Sequence, residues 1–219
     1  MATIKVSAFR WVPPLAQGVV RDLRVRWALE EAGLAYEERL LGLGDHKKEA
    51  YQALQPFGQV PSYEEDGLVM FESGAIVLHI AERSEALMPK DPAGRARVQA
   101  WLIAALNSVE PAVQQLTEID LFHAGAEWAK LRRPAMEERV KGRFAALEAR
   151  LADRDYLEGR FTAADLIMVT VLRFLRHCDL VAQYPALQAY HDRCEARPAF
   201  QKALRDQIAD FVEPQPVAA

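Results

Sequence analysis

Long apolar runs are missing: nowhere do the 219 residues approach the roughly 18 consecutive apolar positions that a membrane-spanning helix needs. The stretch from Met1 to Phe9 likewise lacks the sustained apolar segment of a secretory signal. A soluble, cytoplasmic protein with no membrane partner is therefore expected. Cysteine is scarce. Cys178 and Cys194 are the only two, in no Cys-x-x-Cys pair and at no ligand-like spacing, which excludes a disulfide scaffold and leaves no metal site to expect. Charge of one sign is not concentrated anywhere. The 27 basic and 31 acidic residues give a net charge of -4, so the basic patch that nucleic acid requires is absent.

What is present is an ordinary globular composition, 51% hydrophobic and 26% charged, enough to bury a core without staples. The pattern changes near residue 85. Before it, Ile4 to Phe9 alternates as a strand, a loop with Pro13, Pro14 and Gly18 follows, and Arg21 to Ala32 reads as a helix ended by Gly33. Tyr36 to Leu41 is expected as a second strand, Lys47 to Leu54 as a short helix, and Val60 to Glu64 as a third strand. Asp66-Gly67 signals a hairpin into Leu68 to Phe71, and a helix runs from Ser73 to about Arg83. This order predicts a compact α/β domain with a mixed sheet.

After a linker at Met88 to Pro92 every signal is helical. Val98, Trp101, Leu102, Ala105 and Val109 recur at helix spacing, as do Met136, Val140, Phe144, Leu147 and Leu151. Leu166 to Leu175 is apolar almost all round, which places its helix at the centre of a second domain. The start of that helix is well specified: Thr162 can cap it, Asp165 can answer three residues on, and Phe161 with Leu166 forms a hydrophobic staple.

Four stretches together resemble cytosolic glutathione S-transferases. Leu23 to Glu37 is similar to their first helix and second strand, Gln55-Pro56-Phe57-Gly58-Gln59-Val60-Pro61 to the approach to their third strand, Phe71-Glu72-Ser73-Gly74-Ala75-Ile76 to the start of their third helix, and Phe161-Thr162-Ala163-Ala164-Asp165 to the capping motif of their second domain. They lie in register along nearly the whole chain. The resemblance implies an α+β protein: a thioredoxin-like glutathione-binding domain over 1–84 with a mixed four-stranded sheet, then an all-α helical bundle over 92–219. It also implies a homodimer, a role in detoxification, and glutathione as co-substrate with no cofactor.

The physics of such a site fits these residues. An extended tripeptide is well held by an unpaired strand edge, and Val60 can offer its N–H and C=O to the cysteinyl part. The resemblance implies a cis bond before Pro61. Ser73 opens a helix whose positive end favours the γ-glutamyl carboxylate, and the neighbouring Glu72 faces the ammonium group. Gln59 and His46 match the family's polar ligands for the glycyl end; the plain alternative for His46 is a solvated loop histidine.

The expected thiol activator is missing. Most family members place a Tyr, Ser or Cys in the loop after the first strand, yet from Ala8 to Ala35 there is no Ser, Thr, Tyr or Cys. Val19 and Val20 fall where the catalytic serine would stand. The local substitutes are Arg21 with the start of the first helix, or the Trp11 indole; a further option is Asn107 or Ser108 of the second domain. The plain alternative for Arg21 is a surface arginine among Asp22, Arg24 and Arg26. Trp11, Val12 and Leu15, with Asn107, Leu116 and Phe122, are the candidates to line an apolar pocket for a hydrophobic electrophile. Two functions remain open: conjugation of glutathione to small electrophiles or reduction of organic peroxides, and binding of glutathione or apolar ligands without turnover.

Overall fold

In the computed structural model, which describes residues 3–212, the chain divides into two units. The first comprises the described residues through Ser84 together with those from Pro198 onward; the second runs from Glu85 to Arg197.

The first unit is built on a four-stranded sheet of order β2-β1-β3-β4. Strand β1, Ile4–Phe9, pairs in parallel with β2, Tyr36–Leu41, from Ile4 opposite Tyr36 to Phe9 opposite Leu41. Ile4, Val6 and Ala8 are buried, as the alternation requires. Strand β3, Ser62–Glu65, lies antiparallel to β1 and to β4, Leu68–Phe71. Asp66 and Gly67 join β3 to β4 at φ 48° and 82°, the paired positive angles of a tight hairpin that an Asp-Gly sequence favours. β3 begins two residues later than the expected Val60, because proline at 61 has no N–H to give a ladder.

Helix α1, Asp22–Ala32, ends where Gly33 adopts φ 67° and the Leu34 N–H returns to the Leu29 carbonyl at 3.0 Å. The expected helix over 47–54 is shorter: a 3-10 turn at Asp45–Lys47 precedes α2, Glu49–Gln52. Helix α3, Ser73–Ala81, packs on α1.

In the second unit α4, Pro92–Ala104, and α5, Glu110–Phe122, are joined by a π turn at Ala105–Val109. Its cause is Pro111, which has no N–H for the carbonyl of Asn107 and whose ring crowds that turn. Helix α6 spans Glu127–Leu151, α7 Ala163–Leu172 and α8 Pro185–Glu195. Every residue of α7 is buried, and α4, α5 and α8 pack around it, as expected of an all-apolar helix.

Two further features differ from the sequence reading. The linker is docked: Leu87 and Met88 are buried, and the Leu87 carbonyl accepts the Ala163 N–H at 2.9 Å. The last helix, α9 (Pro198–Ala209), belongs to the first unit and not to the bundle expected over 92–219. Phe200 meets the Trp27 ring edge at 4.8 Å, and Gln207 donates to Asp22 at 2.8 Å. Apolar spacing reveals that α9 has a buried face but not which partner buries it. Among the described residues no helix is long and apolar enough to cross a membrane.

Candidate functional site

The loop from Gln55 to Pro61 leads into β3, and the Val60-Pro61 peptide is cis. Gln55 is buried and braces the loop from within: its Oε1 accepts the N–H groups of Phe57 at 2.8 Å and Gln59 at 3.0 Å. Gly58 sits at φ 63°, and a Cβ there would lie 2.8 Å from the His46 carbonyl oxygen. Glycine is thus required twice over, by the positive φ and by the close approach of the His46 turn. The Gln59 carbonyl accepts from the Tyr51 hydroxyl at 2.7 Å. Gln59 therefore keeps only its exposed side chain for a ligand. The main chain of Val60, by contrast, makes no hydrogen bond among the described residues, while its side chain packs with Leu41 and Tyr51. The Val60 N–H and C=O are thus unpaired two residues ahead of β3.

Glu72 and Ser73 stand at the start of α3. Glu72 is exposed at φ 68°, ψ 107°, outside the basins open to a side chain with a Cβ, at a cost of about 1 kcal/mol or more. Ser73 is buried. The first intrahelical bond runs from the Ile76 N–H to the Glu72 carbonyl at 3.0 Å, so the N–H groups of Ser73, Gly74 and Ala75 lie ahead of the ladder. The Ser73 hydroxyl oxygen accepts from Arg24 Nη1 at 3.2 Å. Because the oxygen accepts from the guanidinium, its own hydrogen remains available to donate outward. A cation, a helix start and a hydroxyl donor thus converge on one place.

Arg24 is the residue that sequence reasoning missed as a site component. Asp22, Arg24 and Arg26 resemble a charged surface run, yet all three are buried. Arg26 is consumed by the fold: Asp22 lies at 2.8 Å, Glu38 at 3.1 Å and Asp210 at 2.6 Å. Burial alone would lower its pKa, but Asp22 and Asp210 outweigh that effect and hold it above its usual value. Burial pushes the Asp22 carboxyl up, against Arg26 and the Gln207 amide. Arg24 alone of the three reaches Ser73. The available signal was its place between the apolar Leu23 and Val25, with Trp27, Ala28 and Leu29 following.

His46 is half-buried rather than solvated, with the Phe9 ring edge-on at 5.4 Å and its Nδ1 without a hydrogen-bond partner. The loop of residues 10–21 places Trp11 half-buried, Val12 buried and Leu15 exposed. Val20 packs against the Leu41, Tyr51 and Val60 cluster, so a methyl-bearing side chain stands where a hydroxyl was expected. Arg21 occupies the N-cap of α1. In the second unit Asn107 and Ser108 are exposed on the π turn, Phe122 is exposed at the end of α5, and Leu116 is sealed in the core. Among the described residues no group of three or more His, Cys, Asp or Glu side chains is placed to hold a metal.

The sequence and fold are similar to those of known proteins. Residues 23–89 match the family model described as glutathione S-transferase, N-terminal domain, and residues 124–198 match the corresponding C-terminal domain. A glutathione S-transferase of Hyoscyamus muticus is 32% identical over 83% of this chain and 92% of its own. Glutathione S-transferase 3 of Zea mays is 35% identical over 87% of this chain and 90% of its own. Among solved structures, a glutathione transferase from Burkholderia graminis with two glutathione molecules bound per subunit is 26% identical, with a TM-score of 0.80 over 92% of this chain and 87% of its own. On sequence, family models and architecture together, the chain belongs to the glutathione S-transferase family.

Proposed function

We propose that the first unit binds glutathione and that the protein conjugates it, through its sulfur, to small hydrophobic electrophiles. The observation that carries this reading is the Arg24 to Ser73 hydrogen bond at the open start of α3. A carboxylate placed there meets the Ser73 hydroxyl and the leading N–H groups with a guanidinium behind them. In this reading Ser73 and α3 hold the γ-glutamyl carboxylate, Glu72 its ammonium, the Val60 main chain the cysteinyl part, and Gln59 with His46 the glycyl end.

Turnover requires thiolate. A free thiol of pKa about 8.5 is largely protonated at neutral pH, and each unit of lowering takes about 1.4 kcal/mol. Arg21 and the first N–H groups of α1 supply the positive field that a loop hydroxyl supplies elsewhere in the family. The thiolate then attacks the electrophilic carbon, the C–S bond forms, and the leaving group departs with its electron pair. Reduction of organic peroxides is the second chemistry open to the same thiolate, with two glutathiones oxidised to the disulfide and the peroxide reduced to alcohol and water. Trp11 and Val12 of the first unit provide apolar surface for the co-substrate.

The proposal includes a homodimer acting in the cytoplasm in detoxification. Support for association comes from an exposed apolar patch on the first unit, in which Phe57, 68% exposed, meets Phe71 edge-on beside Leu68 and Val69.

A second reading, a glutathione-binding protein without turnover, is favoured by Val20, which packs on the cluster that includes Val60 and has no hydroxyl to give. Ultraviolet titration of the bound thiol from about pH 5 to 9 in wild type and Arg21→Ala separates the two. A thiol pKa lowered in wild type and restored in the variant supports the enzyme with Arg21 as activator. Binding with an unmoved pKa supports the second reading.

A further inference from the structure

We propose that Tyr51 is a positioning residue for glutathione, acting through the main chain of Gln59 and Val60 by a one-way chain of hydrogen bonds; the proposal rests on Val60 as the seat of the cysteinyl part. The proton inventory sets the direction of the chain. The single Tyr51 hydroxyl hydrogen goes to the Gln59 carbonyl at 2.7 Å. The 2.7 Å contact between Tyr51 and Ser7 must then be donated by Ser7. With its hydrogen so used, the Ser7 oxygen accepts the Ser62 N–H at 2.6 Å and the Ser62 hydroxyl at 3.0 Å. The chain runs from Ser62 through Ser7 and Tyr51 to Gln59, and its two ends flank the Val60-Pro61 pair.

Two properties make this chain a device for holding position. Ser7, Tyr51 and Ser62 are 1%, 5% and 0% exposed, so water cannot substitute for a missing link, and each bond in such a dry series polarises the next. Gln59 is also gripped at both main-chain ends, its N–H by Gln55 at 3.0 Å and its C=O by Tyr51. The next main-chain groups along, those of Val60, are the ones left for a ligand. Tyr51 also belongs to the buried cluster that holds the Val60 side chain, and its hydroxyl fixes the orientation of the peptide that Gln59 shares with Val60. Burial pushes the Tyr51 hydroxyl above its usual pKa; it stays a neutral donor.

The test is calorimetric titration of glutathione into wild type, Tyr51→Phe, Ser7→Ala and the double variant, well below their melting temperatures. Tyr51→Phe keeps the ring and deletes only the donor, so a loss of about tenfold in glutathione affinity is expected. Ser7→Ala breaks the same chain one link earlier and keeps the proposal testable should Tyr51→Phe fail to fold. The double variant is expected to lose less than the product of the two single losses, because both cut one series. Phe200→Leu, a core change in α9 far along the sequence, serves as the control for lost stability alone and is expected to bind as wild type does. Wild-type affinity in Tyr51→Phe and Ser7→Ala overturns the proposal while leaving the glutathione site intact, as does an equal loss in Phe200→Leu. No binding by wild type itself overturns the reading of the site, and the proposal with it.

Discussion

Two helix starts with similar sequences do opposite work. At α7 the Thr162 and Asp165 pair forms a capping box whose donors and acceptors face inward. Asp165 accepts the Thr162 N–H at 2.8 Å, the Thr162 hydroxyl at 3.0 Å and the Leu157 N–H at 2.9 Å, and the Ala163 N–H is taken by the Leu87 carbonyl. At α3 there is no side-chain cap on the leading N–H groups, the residue ahead is held at φ 68°, and the Ser73 hydroxyl is braced from behind by Arg24. A hydroxyl residue at a helix start is a folding signal when the protein consumes the free N–H groups. It is a binding signal when the protein leaves them open.

The comparison can be broken most strongly at Asp165. Replacing it with Ala strands several buried donors and is expected to cost about 3 kcal/mol or more of unfolding free energy in a denaturant titration, with the glutathione affinity of the folded fraction unchanged. Arg24→Leu is expected to act the other way in calorimetry. Loss of a charge-assisted bond behind the proposed carboxylate seat should weaken glutathione binding by about tenfold or more.

A smaller, pH-dependent effect sharpens the same contrast. Burial, only partly offset by its hydrogen bonds, pushes the Asp165 carboxyl up to about 6. The folded chain then holds a proton that the unfolded chain has released, so this contribution is full below about pH 4 and is lost as pH rises through about 6, at no more than about 1.4 kcal/mol per unit. Relative to Asp165→Asn, wild type should lose stability between about pH 4 and 6 in denaturant titrations across that window; a flat difference would show that the carboxyl titrates at its ordinary value.

Local features of the fold were legible because their causes are local. The alternation of Ile4 to Phe9, the Asp66-Gly67 turn, Gly33 after α1 and the Thr162 and Asp165 pair each name a structure within a few residues. Arg24 was not legible as a site residue because its partner Ser73 lies 49 residues on, and a charged side chain in sequence reads as surface until its partner is known. The attachment of α9 was hidden for the same reason: Gln207 finds Asp22 across 185 residues. The start of β3 was misplaced by the lack of an N–H at Pro61. His46, read against a solvated loop, is half-buried because Gly58 lets the two loops meet. The π turn at Ala105–Val109 was written in Pro111, a proline inside a continuous helical pattern.

The most direct measurement pairs the two helix starts in one experiment, with glutathione affinity and unfolding free energy measured on Ser73→Ala and Thr162→Ala side by side. The account predicts that Ser73→Ala loses about tenfold in affinity, together with the roughly 1 to 3 kcal/mol of stability that stranding the buried Arg24 donor costs, while Thr162→Ala loses about 1 kcal/mol or more of stability and keeps its affinity. Equal affinity in wild type and Ser73→Ala, or an affinity loss in Thr162→Ala matching that in Ser73→Ala, would contradict it.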